Sequence, residues 1–190
     1  AGLLVGGRRH LEWFADLPVE KLAVTRELNA LLETIRRERE RRRVVVLASG
    51  DPLCYGIGSR LATALGRERV AFHPNVSAVA GAFARLGEPW QEAALVSLHG
   101  REGGGALADA LVRAQRVAVF TDAARSPAWV GEFLLRRGLA DARLWVFERL
   151  GERDERCRCF SPAEAAAGSF AEPNLAVVDR EPVPPVPFLG

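Results

Sequence analysis

The residues best placed to do chemistry lie in the segment LASGDPLCYGIG, which runs from Leu47 to Gly58. The apolar run before it predicts a strand, so Gly50, Asp51 and Pro52 fall at a strand's carboxyl end, where open α/β sheets bind ligands. Gly50 allows a close backbone approach, the Asp51 carboxylate accepts hydrogen bonds from amides or hydroxyls, and Pro52 stiffens the turn. This loop could hold a small cofactor. By itself, however, Gly-Asp-Pro is equally a good turn between a strand and a helix.

The elements around this loop are those of an α/β protein. Apolar runs of strand length alternate with segments of helical periodicity, which predicts βαβ units and a largely parallel sheet. The expected strands cover residues 3–5, 44–48, 70–72, 94–98, 117–121, 144–147 and 175–178, with a further candidate at 157–160. The expected helices cover residues 25–39, 56–65, 77–86, 107–114, 127–137 and 161–167, with Thr25 and Ser77 as N-caps and Gly66 and Gly87 as stops.

The segment Gly87-Glu88-Pro89-Trp90 contains both of the residues that most often interrupt regular structure, and we place a lobe boundary there. The prediction is an N-terminal α/β lobe over residues 1–88 and a C-terminal α/β lobe over residues 89–180. Residues 181–190 contain four prolines and are expected to form an extended linker to a second domain of a longer parent chain.

Composition narrows the classes of function. The 26 Lys and Arg residues almost balance the 24 Asp and Glu residues, and Lys21 is the only lysine. Arginine suits carboxylates and phosphates, which favours an anionic small molecule, although a genomic bias toward arginine would give the same excess. The densest basic run, residues 36–43, is broken by Glu38 and Glu40 and lacks aromatic residues, which argues against a nucleic-acid surface.

Cysteine usage and hydropathy bear on location. Three cysteines do not build a disulfide framework in a chain of 190 residues, so a reducing, cytoplasmic compartment is expected. Cys157 and Cys159 lack a second pair or a histidine at ligand spacing, so we expect ordinary strand residues and no metal site. No apolar run reaches the roughly 20 residues that cross a bilayer, and we expect no membrane partner.

Six segments together resemble a known family, the tetrapyrrole methylases, and within it the precorrin C5,15-methyltransferase type. Each segment alone is weak evidence, but their order and spacing along nearly the whole chain are hard to obtain by chance. They are VGGRRHL at 5–11, LASGDPLCYGIG at 47–58, PNVSA at 74–78, PWQ at 89–91 leading to SLHGR at 97–101, FTD at 120–122, and ERLG at 148–151.

The resemblance implies a two-lobed α/β fold with mostly parallel sheets, an active-site cleft between the lobes, and a homodimer. It also implies S-adenosylmethionine as the methyl donor and a ring carbon of an anionic precorrin as the acceptor, at C5 and in some members also C15, in cobalamin biosynthesis. Carried over by position, the residues that line the cofactor are Gly50, Asp51, Pro52, Leu53 and Ser77.

Proton handling and substrate binding need further residues. His99 and Asp122 follow two of the predicted strands and are the candidate catalytic acid or base, although a histidine bonded to backbone is an equal alternative for His99. Arg101 is the preferred clamp for a substrate carboxylate, and Arg8 and His10 are further candidates, with solvated side chains as the competing interpretation.

Two departures from the family pattern support a second hypothesis. Asn75 and Ala78 stand where the family commonly has Gly and a second Ser, and the family's first glycine-rich loop is expected upstream of Ala1. A degenerate, non-catalytic lobe that scaffolds or dimerises therefore remains an alternative. A nucleotide-binding dehydrogenase is disfavoured because the chain lacks Gly-x-Gly-x-x-Gly, and Gly103–Gly105 is interpreted as a mobile loop.

Overall fold

The computed structural model describes residues 2–25, 27–99 and 104–180. The chain divides into two compact units, Ala1–Ser77 and Ala78–Gly190. The boundary lies eleven residues before the one placed after residue 88 from the sequence. The helix between the two positions packs on the sheet of the second unit, and this packing assigns it to that unit.

The first unit is built on a three-stranded parallel sheet. In chain order its elements are β1 (Leu3–Gly6), α1 (Arg8–Glu12), β2 (Glu20–Ala23), α2 (Leu28–Glu38), β3 (Val44–Val46) and α3 (Gly58–Leu65), followed by a 3₁₀ turn over Arg67–Arg69. The strand order is β2-β1-β3, and β1 pairs in parallel with both neighbours.

The core of the first unit lies against the central strand β1. Leu3 and Val5 are buried there, and α2 covers them with Leu31 and Ile35 from a stripe at helical spacing. Leu61 of α3 joins the same cluster. Burial of a large aliphatic side chain contributes roughly 1.5–3 kcal/mol, so this cluster fixes β3, and with it the loop that follows β3.

The second unit is built on a five-stranded mixed sheet. Its elements are α4 (Ala78–Leu86), β4 (Ala94–Ser97), α5 (Gly105–Arg113), β5 (Arg116–Phe120), α6 (Pro127–Arg136), β6 (Arg143–Glu148), β7 (Arg156–Phe160), α7 (Pro162–Ala166) and β8 (Asn174–Asp179). The strand order is β4-β5-β8-β6-β7, with β4 and β5 parallel and the other three pairings antiparallel.

Both faces of the second sheet are covered. On one face α4 packs Val79, Ala82 and Phe83 against Leu175 and Val177 of β8. On the other face, residues of α5, α6 and α7 form a larger cluster with the alternate side chains of the strands. The sheet is therefore sandwiched between helices, as an α/β fold requires.

Most expected elements are present, and the differences are local. Residues 70–72 form no strand, and β2 was not predicted. Thr25 is not an N-cap, because α2 starts after Glu27. Of the predicted loop Gly103–Gly105, Gly105 is instead the first residue of α5, Gly104 precedes the helix and packs against Phe133, and Gly103 lies outside the described residues.

In the described ranges no helix is long and apolar enough to cross a membrane. Cys157 and Cys159 are exposed strand residues of β7. The same ranges contain no group of three or more His, Cys, Asp or Glu side chains arranged to hold a metal ion.

Candidate functional site

The loop after β3 is packed closely against the segment that ends the first unit. Gly50 has a φ of 59°, and a Cβ there would lie 2.9 Å from the carbonyl oxygen of Val76 and 3.1 Å from Cα of Ser77. The Asn75 N–H donates to the Gly50 carbonyl at 3.2 Å. The predicted cofactor residues Gly50 and Ser77 are thus brought together, and glycine is required at position 50 for both its backbone conformation and its space.

Asp51 closes the turn that follows. Its Oδ1 accepts the Leu53 N–H at 2.8 Å, so part of the predicted ligand acceptor is used by the protein's own backbone. Burial and the Asp51 carboxylate raise the pKa of the Cys54 thiol, so Cys54 is a neutral neighbour rather than a nucleophile. The Gly58 N–H donates to the Pro52 carbonyl at 2.9 Å, which links the turn to the start of α3.

Apolar side chains border this turn. Leu53, Tyr55 and Val76 are 52%, 48% and 69% exposed. Tyr55 also has a φ of 55°, a left-handed conformation that costs a non-glycine residue free energy and that occurs more often at ligand sites. The loop therefore offers both backbone groups and an exposed apolar surface to a ligand.

His10 connects α1 to this loop. Its Nε2 lies 2.9 Å from Oγ of Ser49, in hydrogen-bond contact, and Ser49 directly precedes Gly50. Burial, with a smaller contribution from the charge of Arg9, lowers the pKa of His10, so the imidazole is neutral near pH 7. This contact favours a role in positioning the loop over a direct contact with substrate. Arg8, the neighbouring predicted substrate residue, is exposed on α1.

The second unit brings together the ends of β4 and β5. His99 is exposed and follows Leu98, whose N–H donates to the Phe120 carbonyl at 2.9 Å. Asp122, after β5, accepts the Arg125 N–H with Oδ1 at 2.7 Å. Nη1 of Arg125 then donates to the Leu98 carbonyl at 3.4 Å, so this arginine joins the turn that carries Asp122 to the residue before His99.

Two residues of these networks, Ser49 and Arg125, were not predicted from the sequence. Ser49 stands inside the recognised motif, and Arg125 stands just before the Ser126-Pro127 start of α6, so only their neighbours carried a signal. Arg101, the preferred carboxylate clamp, lies outside the described residues.

A groove of about 350 Å³ lies between α2 and α3 and contains none of the predicted site residues. Its lining is mostly small or polar: Asn29, Leu32, Ser59, Arg60, Thr63 and Ala64. We therefore assign the site from the loop contacts and not from this groove.

Comparison with known proteins identifies relatives along most of the chain. The family model for Tetrapyrrole (Corrin/Porphyrin) Methylases matches residues 1–166. The cobalt-precorrin-7 C(5)-methyltransferase of Salmonella typhimurium is 34% identical over 180 residues, which cover 95% of this chain and 87% of that protein. The precorrin-6Y C(5,15)-methyltransferase [decarboxylating] of Sinorhizobium sp is 35% identical over 94% of this chain, but the match spans 43% of that protein.

Solved structures agree with this relationship. The uroporphyrin-III C-methyl transferase from Thermus thermophilus complexed with S-adenyl homocysteine is 25% identical, with a TM-score of 0.72 over 94% of this chain and 84% of that chain. A precorrin-6Y methylase from Archaeoglobus fulgidus has the same fold, with 24% identity and a TM-score of 0.65 over 95% of this chain and 85% of that chain. The predicted α/β fold class and the prediction of a methyltransferase are confirmed. The chain belongs to the tetrapyrrole methylase family.

Proposed function

We propose that this chain transfers the methyl group of S-adenosylmethionine to carbon C5 of a precorrin in cobalamin biosynthesis. The observation that carries this proposal is the match to the Salmonella C(5)-methyltransferase, which extends over 95% of this chain and 87% of that protein. A match over nearly the full length of both sequences relates the two chains throughout and not through one shared motif.

The share of each relative that this chain matches also favours C5 over C15 as the methylated carbon. The Salmonella relative is named for C5 alone, whereas the Sinorhizobium relative is named for C5, C15 and decarboxylation and is matched over 43% of its length. We therefore assign C5 methylation to the region that both relatives share with this chain. We assign the C15 methylation and the decarboxylation to the remainder of the longer protein. We accordingly place C5 methylation in this chain, and a second methyltransferase and decarboxylase domain in a longer parent.

The loop after β3 fits the methyl donor. Gly50 brings bare backbone against Val76 and Ser77, and the exposed side chains of Leu53 and Tyr55 provide an apolar surface of the kind that an adenosine requires. S-adenosylmethionine carries an activated methyl group, so the protein mainly has to align the two reactants and exclude water.

We assign the remaining residues around this chemistry. Gly50, Asp51, Pro52, Leu53 and Ser77 bind the cofactor. His99 is the candidate for moving a proton at the substrate ring because its imidazole is exposed at the end of β4.

The other predicted residues divide between positioning and substrate binding. Asp122 holds its turn, since Oδ1 is used by the backbone of Arg125. His10 holds the cofactor loop through Ser49. Arg8 and Arg101 remain candidates for substrate carboxylates.

The assay supplies S-adenosylmethionine with a ¹³C-labelled methyl group and a panel of cobalt-containing and cobalt-free precorrins. The expected result is one labelled methyl at C5, located by NMR, and binding of S-adenosylhomocysteine in isothermal titration. Asp51→Ala should weaken that binding because it opens the turn at Leu53. A protein that binds no S-adenosylhomocysteine and methylates no member of the panel would instead be the degenerate scaffold.

Assembly and location belong to the same proposal. We place the protein in the cytoplasm, where three cysteines stay reduced, as a homodimer. Sedimentation of the purified protein over a range of concentrations tests the dimer, and a single species of monomer mass would contradict it.

A further inference from the structure

Among the described residues, Arg125 is a half-buried cation without a carboxylate partner. Its guanidinium makes one hydrogen bond, from Nη1 to the Leu98 carbonyl at 3.4 Å. In the described part of the chain, no carboxylate oxygen lies within 4.0 Å of its guanidinium nitrogens. A guanidinium presents five N–H donors in a planar fork, so most of the bonding capacity of Arg125 is unused.

Other half-buried arginines of the second unit have carboxylate partners. Arg116 lies 3.2 Å from the Glu88 carboxylate and 3.8 Å from that of Asp179, and Arg143 also pairs with Asp179, at 3.2 Å. Arg180 is a second exception, since its Nη2 donates to the Ala114 carbonyl at 3.0 Å. Arg180 lies at the other end of the sheet, because its N–H pairs with Gln115 before β5 begins.

The backbone of Arg125 is held firmly. The Arg125 N–H donates to Oδ1 of Asp122 at 2.7 Å, and the Asp122 N–H donates back to the Arg125 carbonyl at 3.3 Å. The turn is therefore closed from both sides before α6 begins at Pro127. Because the backbone of Arg125 is already fixed, binding an anion has to order only its side chain, which lowers the entropy cost of the contact.

The geometry points to Arg125 as the residue that binds a substrate carboxylate, beside the candidate proton-transfer residue His99. Partly buried cations favour a paired anion, and the guanidinium fork suits a carboxylate with two parallel hydrogen bonds. This assignment rests on the proposed function, since it takes the ligand to be an acidic tetrapyrrole. It identifies the contact that orients the macrocycle at the ends of β4 and β5.

The experiment measures binding of uroporphyrin III, a stable polycarboxylated tetrapyrrole, to the full chain by absorbance titration. The variants are Arg125→Gln and Arg125→Lys, with Arg180→Gln as the control because Arg180 is also half-buried and has no carboxylate partner among the described residues. Binding of S-adenosylhomocysteine reports whether each variant is folded, and methyl transfer to precorrin gives KM and kcat separately.

Arg125→Gln should weaken uroporphyrin binding about tenfold and lower its salt dependence, because one charge-assisted contact is lost. Arg125→Lys should fall between wild type and Arg125→Gln, since the charge stays and the fork is lost. Arg180→Gln should bind like wild type, and all variants should keep their affinity for S-adenosylhomocysteine. KM for precorrin should rise while kcat changes less.

Two results with the variants would overturn the assignment. One is Arg125→Gln binding uroporphyrin as tightly as wild type while methyl transfer stands, and the other is an equal loss in Arg180→Gln. A wild-type protein that binds no tetrapyrrole would overturn both this assignment and the proposed function. If uroporphyrin binding depends on Arg125 but no precorrin is methylated, the assignment of Arg125 to a carboxylate is supported and only the proposed reaction is contradicted.

Discussion

Replacing Gly50 by alanine tests the close contact that shapes the loop after β3, to which we assign the cofactor. An L-residue in the left-handed region costs roughly 1–2 kcal/mol relative to glycine. The new Cβ would also lie 2.9 Å from the Val76 carbonyl oxygen and 3.1 Å from Cα of Ser77, both backbone atoms that cannot rotate away. Relieving such a contact by a backbone shift costs about 1–3 kcal/mol, so the expected total is about 2–5 kcal/mol.

A matched control separates backbone strain from the steric contact. Gly66 lies in the same unit and has a φ of 93°, but a Cβ there would meet only the carboxylate end of the exposed Glu68 side chain, which can move. The ψ of Gly66 is 133°, which together with its positive φ is a conformation nearly confined to glycine, so Gly66→Ala should cost about 1–3 kcal/mol through its backbone alone. Urea unfolding followed by far-ultraviolet circular dichroism measures both variants.

The two variants together test whether the packing of Gly50 constrains the loop after β3 and whether this loop binds the cofactor. If Gly50→Ala costs no more than the roughly 1–2 kcal/mol of its left-handed backbone, the packing of Gly50 against Val76 does not constrain the loop. The affinity for S-adenosylhomocysteine gives a second readout, which should fall at least about tenfold in Gly50→Ala and stay unchanged in Gly66→Ala. A Gly50→Ala protein that is less stable but binds the ligand normally would contradict the assignment of this loop to the cofactor.

Three further predictions concern single side chains. Ser161→Ala removes the capping box of α7 and should lower the free energy of unfolding by about 1 kcal/mol, measured in urea. Glu148 is 2% exposed and bonds Arg158 at 2.7 Å, so Glu148→Gln should cost about 1–3 kcal/mol, and no loss would show that the pair is dispensable. The pKa of His10 is lowered from 6.5, so the folded state binds fewer protons than the unfolded state, and stability should fall as pH drops below 6.5 through the folded pKa. His10→Gln, which keeps a polar partner for Ser49, should flatten the dependence of Tm on pH between about 5 and 7.

The sequence predicts most elements of this fold because their signals are local. The run before Leu47 is apolar and β-branched throughout, which favours a strand, and α2 and α6 repeat their apolar residues at helical spacing. The strand β2 was missed because Glu20–Ala23 is short and mixes charged with apolar residues. The direction of β8 could not be predicted, since it inserts between β5 and β6, and strand order is decided by pairings between distant segments.

The candidate site likewise combines residues that local motifs identify with contacts between distant segments that they do not. Two separate motifs assign Gly50 to Leu53 and Ser77 to the cofactor, and the fold places Gly50 next to Ser77. The bond of His10 to Ser49 spans 39 positions, and that of Arg125 to Leu98 spans 27 positions. Contacts of this range depend on how strands align in the sheet, so no local pattern reveals them.

The departure at Asn75 bears on the choice between an enzyme and a degenerate scaffold. Among the described residues that are not glycine, only Tyr55 and Arg149 have a positive φ, so the backbone at Asn75 does not require glycine. Its N–H donates to the Gly50 carbonyl at 3.2 Å, and its Oδ1 accepts the Val76 N–H at 2.8 Å. A glycine at this position would keep the first bond and lose the second. Asn75 therefore strengthens the segment against which Gly50 packs, and this departure from the family pattern is no evidence that the cofactor loop has degenerated.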